Sequence, residues 1–369
     1  MDRPGAEPSP ETWWERYGHR VAPLGGGHEQ LLVGPGDAGR EPVGGAPSGP
    51  EQPVPPRPDE PPAEPGESAA ELSATAIVRP PRDEPATGWR RALLKISGGV
   101  LNPGPGASEL RRRELLHRIR RPLMQSHQIA VASMKGGVGK TTVATLLGLV
   151  LAENRGDRVI ALDANPDAGT LADRLTGESS VTARQLVQDL DQVSSWTAVS
   201  HYTSLVGRLQ VLASEQDPAG GHGFSRDEYE RVCALLERFF NIIITDSGTG
   251  LLHPAMTSTL DRADSLIIVG TPTVDAAGRA SKTLDWLWMH GHGPLASESV
   301  AVLCSARSSA EVNSARIREH FAARCRAVVE IPHDPHLAAG GRVELARLQP
   351  ATREAAFQLA AVMADRFSS

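Results

Sequence analysis

Two lysines stand five positions apart in Met134-Lys135-Gly136-Gly137-Val138-Gly139-Lys140-Thr141-Thr142, in a chain whose only other lysines are Lys95 and Lys282, against 34 arginines. Glycines at this density let a backbone curl until successive N–H groups face one anion. The apolar run Val143 to Leu151 follows at once and reads as a helix, whose N-terminus adds the positive end of its dipole. Lys140 is then placed to reach β- and γ-phosphate oxygens, and Thr141 to offer its hydroxyl to Mg²⁺. Backbone from Lys135, Gly136, Gly137, Val138, Gly139, Lys140, Thr141 and Thr142 would cradle the phosphates. The chemistry encoded is capture of a nucleoside triphosphate as its magnesium complex. A glycine-rich turn alone is a weak signal, but strand, loop, Lys-Thr and helix in series are specific.

A second candidate is Asp246, which ends the apolar run Asn241-Ile242-Ile243-Ile244-Thr245. A carboxylate at the end of a buried strand suits the orientation of metal-bound water beside a phosphate loop. Ser247-Gly248-Thr249-Gly250 comes next, where Gly248 can bring a backbone N–H close to a γ-phosphate.

Such residues need a sheet to hold them. Strand-like runs are Gln128 to Ser133, Arg158 to Asp163, Leu209 to Ala213, Asn241 to Asp246, Ser265 to Gly270, Val300 to Cys304 and Ala327 to Ile331, several of them continuously apolar, as strands covered on both faces are. Helix-like stretches alternate with them: Thr141 to Glu153, Arg226 to Arg238, Asp275 to Met289, Ala310 to Ala323 and Thr352 to Phe367. Trp286 and Trp288 lie in one of these and read as packing. The alternation predicts an α/β fold, a mostly parallel P-loop NTPase sheet flanked by helices.

The domain plan follows from composition. Of 29 prolines, 15 fall before residue 66, among few large aliphatic side chains; such a stretch cannot offset its own ordering entropy, so residues 1–75 are expected to be a disordered tail. Within it Trp13, Trp14, Arg16 and Tyr17 form an aromatic island. Residues 76–126 are expected to be a basic, partly helical linker and 127–369 the ATPase domain. In the linker, the stretch from Trp89 to Arg121 carries two short helical patterns; Ser108 reads as an N-cap, and Leu115, Leu116 and Ile119 share a stripe with arginines around it. That segment is either an adhesive face for acidic lipid, nucleic acid or a protein partner, or a helix packed on the domain with its arginines solvated.

A net charge of −6 argues against coating by nucleic acid through overall charge. Cys233, Cys304 and Cys325 lack metal or disulfide spacing and read as buried thiols. No apolar run is long enough to span a bilayer, and the N-terminal stretch lacks the pattern of a signal peptide. The expected location is the cytoplasm, with a peripheral position at the inner membrane face left open by the basic segment.

The phosphate loop departs from the common pattern by having Met134 and Lys135 where a glycine usually opens it. In this it resembles the deviant Walker A loop of the ParA/MinD family, in which the extra lysine reaches across a nucleotide-sandwich dimer. The resemblance spans roughly residues 127 to 367. It implies ATP and Mg²⁺ as cofactors, an ATP-bound homodimer, and hydrolysis involving Lys135, Lys140, Asp163, Asn165 and Asp246, with Thr141, Asp163 and Asp246 at the metal. Asp163-Ala164-Asn165-Pro166-Asp167 resembles switch I, which generally reads Asp-x-Asp; Asn165 stands at the second acid. Ile331-Pro332-His333-Asp334 resembles the adenine-lining stretch, so Pro332, His333 and Asp334 are implied there, while the usual purine-facing Asn is replaced by Cys304-Ser305-Ala306-Arg307. The cysteine placement does not suit the nitrogenase iron protein, nor do Tyr17, Tyr202 and Tyr229 suit a tyrosine kinase of this fold. With the Pro-rich tail and Gly88-Trp89-Arg90-Arg91, the chain resembles the actinobacterial ParA/MinD-type proteins associated with type VII secretion, the EspI-like group. That implies an ATPase that positions or regulates a partner complex, secretion machinery among the candidates. The alternatives are a partition ATPase acting on non-specific DNA and a nucleotide-binding scaffold with very weak hydrolysis. A basic amphipathic anchor of the MinD kind is not expected in Met363 to Ser369.

Overall fold

The computed structural model describes residues 85, 88–98, 100–133, 135–165, 169–177, 181–214, 224–248, 254–305 and 313–367. The Pro-rich stretch 1–75 with its aromatic island lies outside them, as do Met134, Pro166, Asp167, Thr249, Gly250, Ala306 and Arg307. The helices are α1 (Gly88–Ile96), α2 (Ala107–Ile119), α3 (Lys140–Asn154), α4 (Leu171–Leu175), α5 (Ala183–Asp189), α6 (Trp196–Ser200), α7 (Arg226–Glu237), α8 (Pro254–Arg262), α9 (Val274–Met289), α10 (Gly293–Ser297), α11 (Ser314–Ala322), α12 (Pro335–Ala338) and α13 (Pro350–Ala364). The strands are β1 (His127–Ala132), β2 (Val159–Ala164), β3 (Ser204–Val206), β4 (Leu209–Leu212), β5 (Ile242–Ser247), β6 (Ser265–Gly270), β7 (Val300–Cys304) and β8 (Ala327–Ile331).

Among the described residues these strands form one sheet in the order β3-β4-β2-β5-β1-β6-β7-β8. Every pairing is parallel except β3 with β4. Parallel neighbours require crossover helices, and those helices cover both faces. Side-chain alternation sorts the core accordingly. Ile129 and Val131 of β1 join Val159, Ala161, Ile242 and Ile244 under α3 and α13. Ala130 and Ala132 point the other way, toward Leu284 and Leu287 of α9, and Ile160, Leu162 and Ile243 toward α7.

Helix α13 is buried nearly all round, from Thr352 through Ala355, Phe357 and Leu359 to Ala364, so it needs cover on its outer side as well as a sheet beneath it. That cover is α2. Leu115 and Ile119 enter the core cluster, Arg118 makes a two-pronged contact with Asp365 at 2.6 and 3.2 Å, Arg111 pairs with Glu354 at 2.6 Å, and the Arg112 guanidinium sits over the Phe357 ring at 5.0 Å. The stretch read above as a linker therefore contains a helix that belongs to the core.

Two sequence readings are corrected. Ser108 is not the N-cap of α2: the first helical bond runs from the Leu110 N–H to the Gly106 carbonyl at 2.9 Å, which makes Gly106 the cap. This start places Glu109 in the first turn, where it faces the helix dipole and pairs with Arg113 at 2.8 Å. The short edge strand β3 escaped the sequence reading because three residues show no period; its turn into β4 rests on Gly207 at φ +59°. The remaining strand boundaries fall within one residue of those read from sequence.

Candidate functional site

The carboxyl ends of β1, β2 and β5, the centre of the sheet, bring the chemistry together. In an open parallel sheet ligands bind outside these ends. β1 delivers Ser133, whose hydroxyl accepts the Lys135 N–H at 3.1 Å and so fixes the start of the loop. The loop then passes through Gly137 at φ +71° and Gly139 at φ +102°. Gly139 has a second reason to be glycine: a Cβ there would lie 3.1 Å from the Cys304 Sγ. From Gly139 the chain enters α3, with the Val143 N–H bonding the Gly139 carbonyl at 2.9 Å, leaving the first N–H groups of the helix toward the loop.

Lys140 is buried at this helix start. Burial pushes its ammonium below the ordinary lysine pKa, and the Asp246 charge restores part of that. Asp246 is itself 2% exposed. Burial, reinforced by the charge of Asp163, pushes its carboxyl up to about 7, while a hydrogen bond from the Thr141 hydroxyl and the charge of Lys140 work the other way. Its Oδ1 has no hydrogen-bond partner among the described residues. A buried carboxylate oxygen in that condition costs free energy unless something occupies it. Set beside a Thr hydroxyl and the positive helix end, it fits a hard cation that takes its other ligands from phosphate and water. Thr141 and Asp246 are the residues that would hold it.

Asp163 stands opposite Asp246 in register across β2 and β5. It does not offer itself in the same way: its two oxygens accept the backbone N–H groups of Asn165 at 3.1 Å and Leu171 at 3.0 Å. Burial raises its pKa to about 6 against these bonds. Asp163 thereby shapes the loop that leads to α4, and Gly169 makes the loop's close approach possible, since a Cβ there would lie 2.0 Å from Asp163 Oδ2. Asn165 is half-buried at the head of that loop. On the other side, the Ser247 hydroxyl donates to the Val131 carbonyl at 2.6 Å, tying β5 to β1 just before Gly248.

Lys135 lies apart from this floor. Its ammonium is half-exposed and paired with Asp275 at 2.7 Å, a residue in the first turn of α9 that is also bonded to Arg279. The hydrogen bond from Lys135 lowers the Asp275 pKa, helped by Arg279. Pro332 and His333 are half-buried beyond β8, and Asp334 is buried. Burial opposes the ionisation of Asp334, but the N–H groups of Gln349 (2.8 Å) and His336 (2.9 Å) outweigh it and hold the carboxyl below its ordinary value. Its side chain therefore pins the turn around α12 to the start of α13, and any contact with a base would fall to neighbouring backbone. Arg174 of α4, buried, joins this turn to the phosphate-loop helix by donating to the Thr142 hydroxyl at 3.1 Å and the Leu337 carbonyl at 3.2 Å.

Sequence reasoning missed Asp275, Gly169 and Arg174 as parts of this region. Each reaches it through a tertiary contact, and only Gly169 left a local trace, as a glycine between Ala168 and Thr170. Trp286 packs against the core cluster and stacks on His290 at 4.0 Å, in line with a packing role, whereas Trp288 is exposed, with its ring beside Gly293.

A phosphate loop of this form on this sheet defines a nucleotide-binding domain of the P-loop class. The chain belongs to the CobQ/CobB/MinD/ParA nucleotide-binding family, whose model matches residues 129–323. It is 33% identical over 284 residues, 76% of its length, to the ESX-1 secretion-associated protein EspI of Mycobacterium tuberculosis, and spans 42% of that relative. Among solved structures, a ParA family ATPase from Chlorobium tepidum superposes with a TM-score of 0.55 at 20% identity, over 64% of this chain and 98% of that one. The septum site-determining protein MinD from Pyrococcus horikoshii, complexed with Mg-ADP, gives 0.51 at 21% identity, over 64% and 94%. At that identity both show the fold. No helix among the described residues is long and apolar enough to cross a membrane.

Proposed function

We propose that this domain binds ATP with Mg²⁺, dimerises in the bound state and hydrolyses ATP slowly, regulating a partner assembly of the type VII secretion class. The observation that carries the nucleotide reading is the unpartnered Oδ1 of buried Asp246 beside the Thr141 hydroxyl and buried Lys140. The secretion reading rests on the likeness to EspI. Family members solved with nucleotide, such as the MinD complex with Mg-ADP, support the cofactor.

In this reading Lys140 and the backbone from Gly136 to Thr142 bind and orient the phosphates, the lysine gaining back the stabilisation that burial takes from its charge. When bound, Mg²⁺ would draw negative charge from the β- and γ-phosphate oxygens. Thr141 and Asp246 would hold it, and Gly248 would direct its N–H at the γ-phosphate. Asp163 keeps the switch loop in place through its backbone bonds. Asn165 supplies a neutral amide with one acceptor oxygen where an aspartate would accept from the attacking water more strongly, so intrinsic turnover is slow; loss of a positioned acid–base group typically costs about 10²- to 10⁴-fold. Lys135 reaches a partner's phosphates only after leaving Asp275.

Titration of the full chain with MgATP by calorimetry, with sedimentation in parallel, tests this. Expected are binding lost in Lys140→Ala, an ATP-dependent dimer lost in Lys135→Ala, and turnover raised by Asn165→Asp. Unchanged ATP affinity in Lys140→Ala would sink the site assignment, and a monomeric ATP complex would sink the dimer.

A further inference from the structure

The basic stretch 88–121 divides into two unlike parts. The arginines of α2 have internal uses: Arg111, Arg112 and Arg118 clamp α13, Arg113 pairs with Glu109, and Arg120 and Arg121 bond the Asn154 carbonyl and Asp365. Helix α1 has no buried residue, although Arg90 donates to the Pro103 carbonyl at 3.0 Å and lies over the Trp89 ring. At helical spacing Ala92, Ile96, Trp89 and Leu93 share one arc, with Arg91 and Lys95 on the opposite side. Trp89 is 67% exposed and Ile96 85%, and the chain just beyond adds Val100 and Leu101, also exposed. From Gly88 to Ser108 there is no acidic residue, while Arg90, Arg91 and Lys95 carry three positive charges.

We infer that α1 docks on an anionic lipid surface, lying in the interface with Trp89, Ile96, Val100 and Leu101 inserted and its basic residues among the headgroups. Charge selects an acidic surface. A standard interface with a folded protein buries roughly 800 Å² per partner, more than a nine-residue helix with a narrow apolar arc supplies by itself. A membrane sets no such minimum: each side chain that enters the interface contributes separately, and each basic residue adds about fivefold to the affinity. Nothing in this inference depends on the nucleotide reading.

The test is co-sedimentation of the full chain with vesicles of phosphatidylcholine alone or mixed equally with phosphatidylglycerol. The expected result is binding to the anionic vesicles only, weakened by salt. It should fall about 100-fold in Arg90→Gln/Arg91→Gln/Lys95→Gln and at least tenfold in Trp89→Ser/Ile96→Ser, with circular dichroism and melting temperature unchanged. Arg120→Gln, at the C-cap of α2, should bind as the unsubstituted chain does. Absence of binding to the anionic vesicles, equal binding to both kinds, or full retention in both α1 variants would overturn the proposal. So would self-association or duplex-DNA binding that the α1 changes abolish while vesicle binding persists.

Discussion

Charge is held in opposite ways at the floor of the phosphate site and along the basic segment. At the floor Lys140, Asp163 and Asp246 are buried among the ends of three strands, and their pKa values are displaced because no ion pair fully compensates them. Along α2 more charges lie on the surface, each close to an internal partner. The difference teaches that the number of charged residues in a segment says little about binding. Burial without adequate compensation marks a place built for a ligand, and surface charge in pairs marks packing. Helix α1 is a third case, in which charge accompanies exposed apolar side chains, Trp89 and Ile96.

The comparison breaks most visibly at Ile119, which is fully buried. Ile119→Asp should destabilise the domain by about 3–5 kcal/mol in urea denaturation, through lost packing and a buried carboxylate; a change under 1 kcal/mol would return α2 to the status of a linker. The next effect belongs to the floor. In chelator and without nucleotide, Asp163 and Asp246 have folded pKa values of about 6 and about 7, above their unfolded values near 4. The folded state therefore binds more protons between those values. Their contribution is fully present below about pH 4 and is lost as pH rises to about 7, on the order of a few kcal/mol. Melting curves from about pH 4.5 to about pH 7.5 should show this fall, and Asp246→Asn should flatten it.

Lys140→Ala should weaken ATP binding by on the order of 10²-fold or more, while the melting temperature of the ligand-free protein holds or rises, because a buried, poorly paired ammonium is removed. Smaller still is the surface clamp: Arg118→Ala should cost about 1 kcal/mol, as expected for a partly exposed two-pronged pair. The smallest effect sharpens the contrast with Ile119. Ile96→Asp on α1 should leave stability within about 0.5 kcal/mol, and a larger loss would mean that α1 is packed after all.

The contiguous parts of this arrangement were legible in the sequence. Phosphate-loop residues 135–142 carry their own chemistry in order, and strands buried on both faces announce themselves as apolar runs, so β1, β2, β5, β6, β7 and β8 were readable to within a residue. What depends on distant partners was not. Asp275 looks like any helix-start aspartate until Lys135 lies against it, and nothing in the sequence shows that the Asp163 oxygens accept the backbone N–H groups of Asn165 and Leu171. The place of α2 was hidden for the same reason, although α13, apolar on every side, held the clue that something outside the sheet must cover it.

The bond between Arg118 and Asp365 joins residues 247 positions apart. On the ribosome α2 is made before any of the sheet, and its docking surface emerges only after the last strand. At about 5–20 residues per second the wait is roughly 12 to 50 s, during which Leu115 and Ile119 are exposed to chaperones and to other nascent chains. Closure of this contact is therefore a late folding event of high contact order.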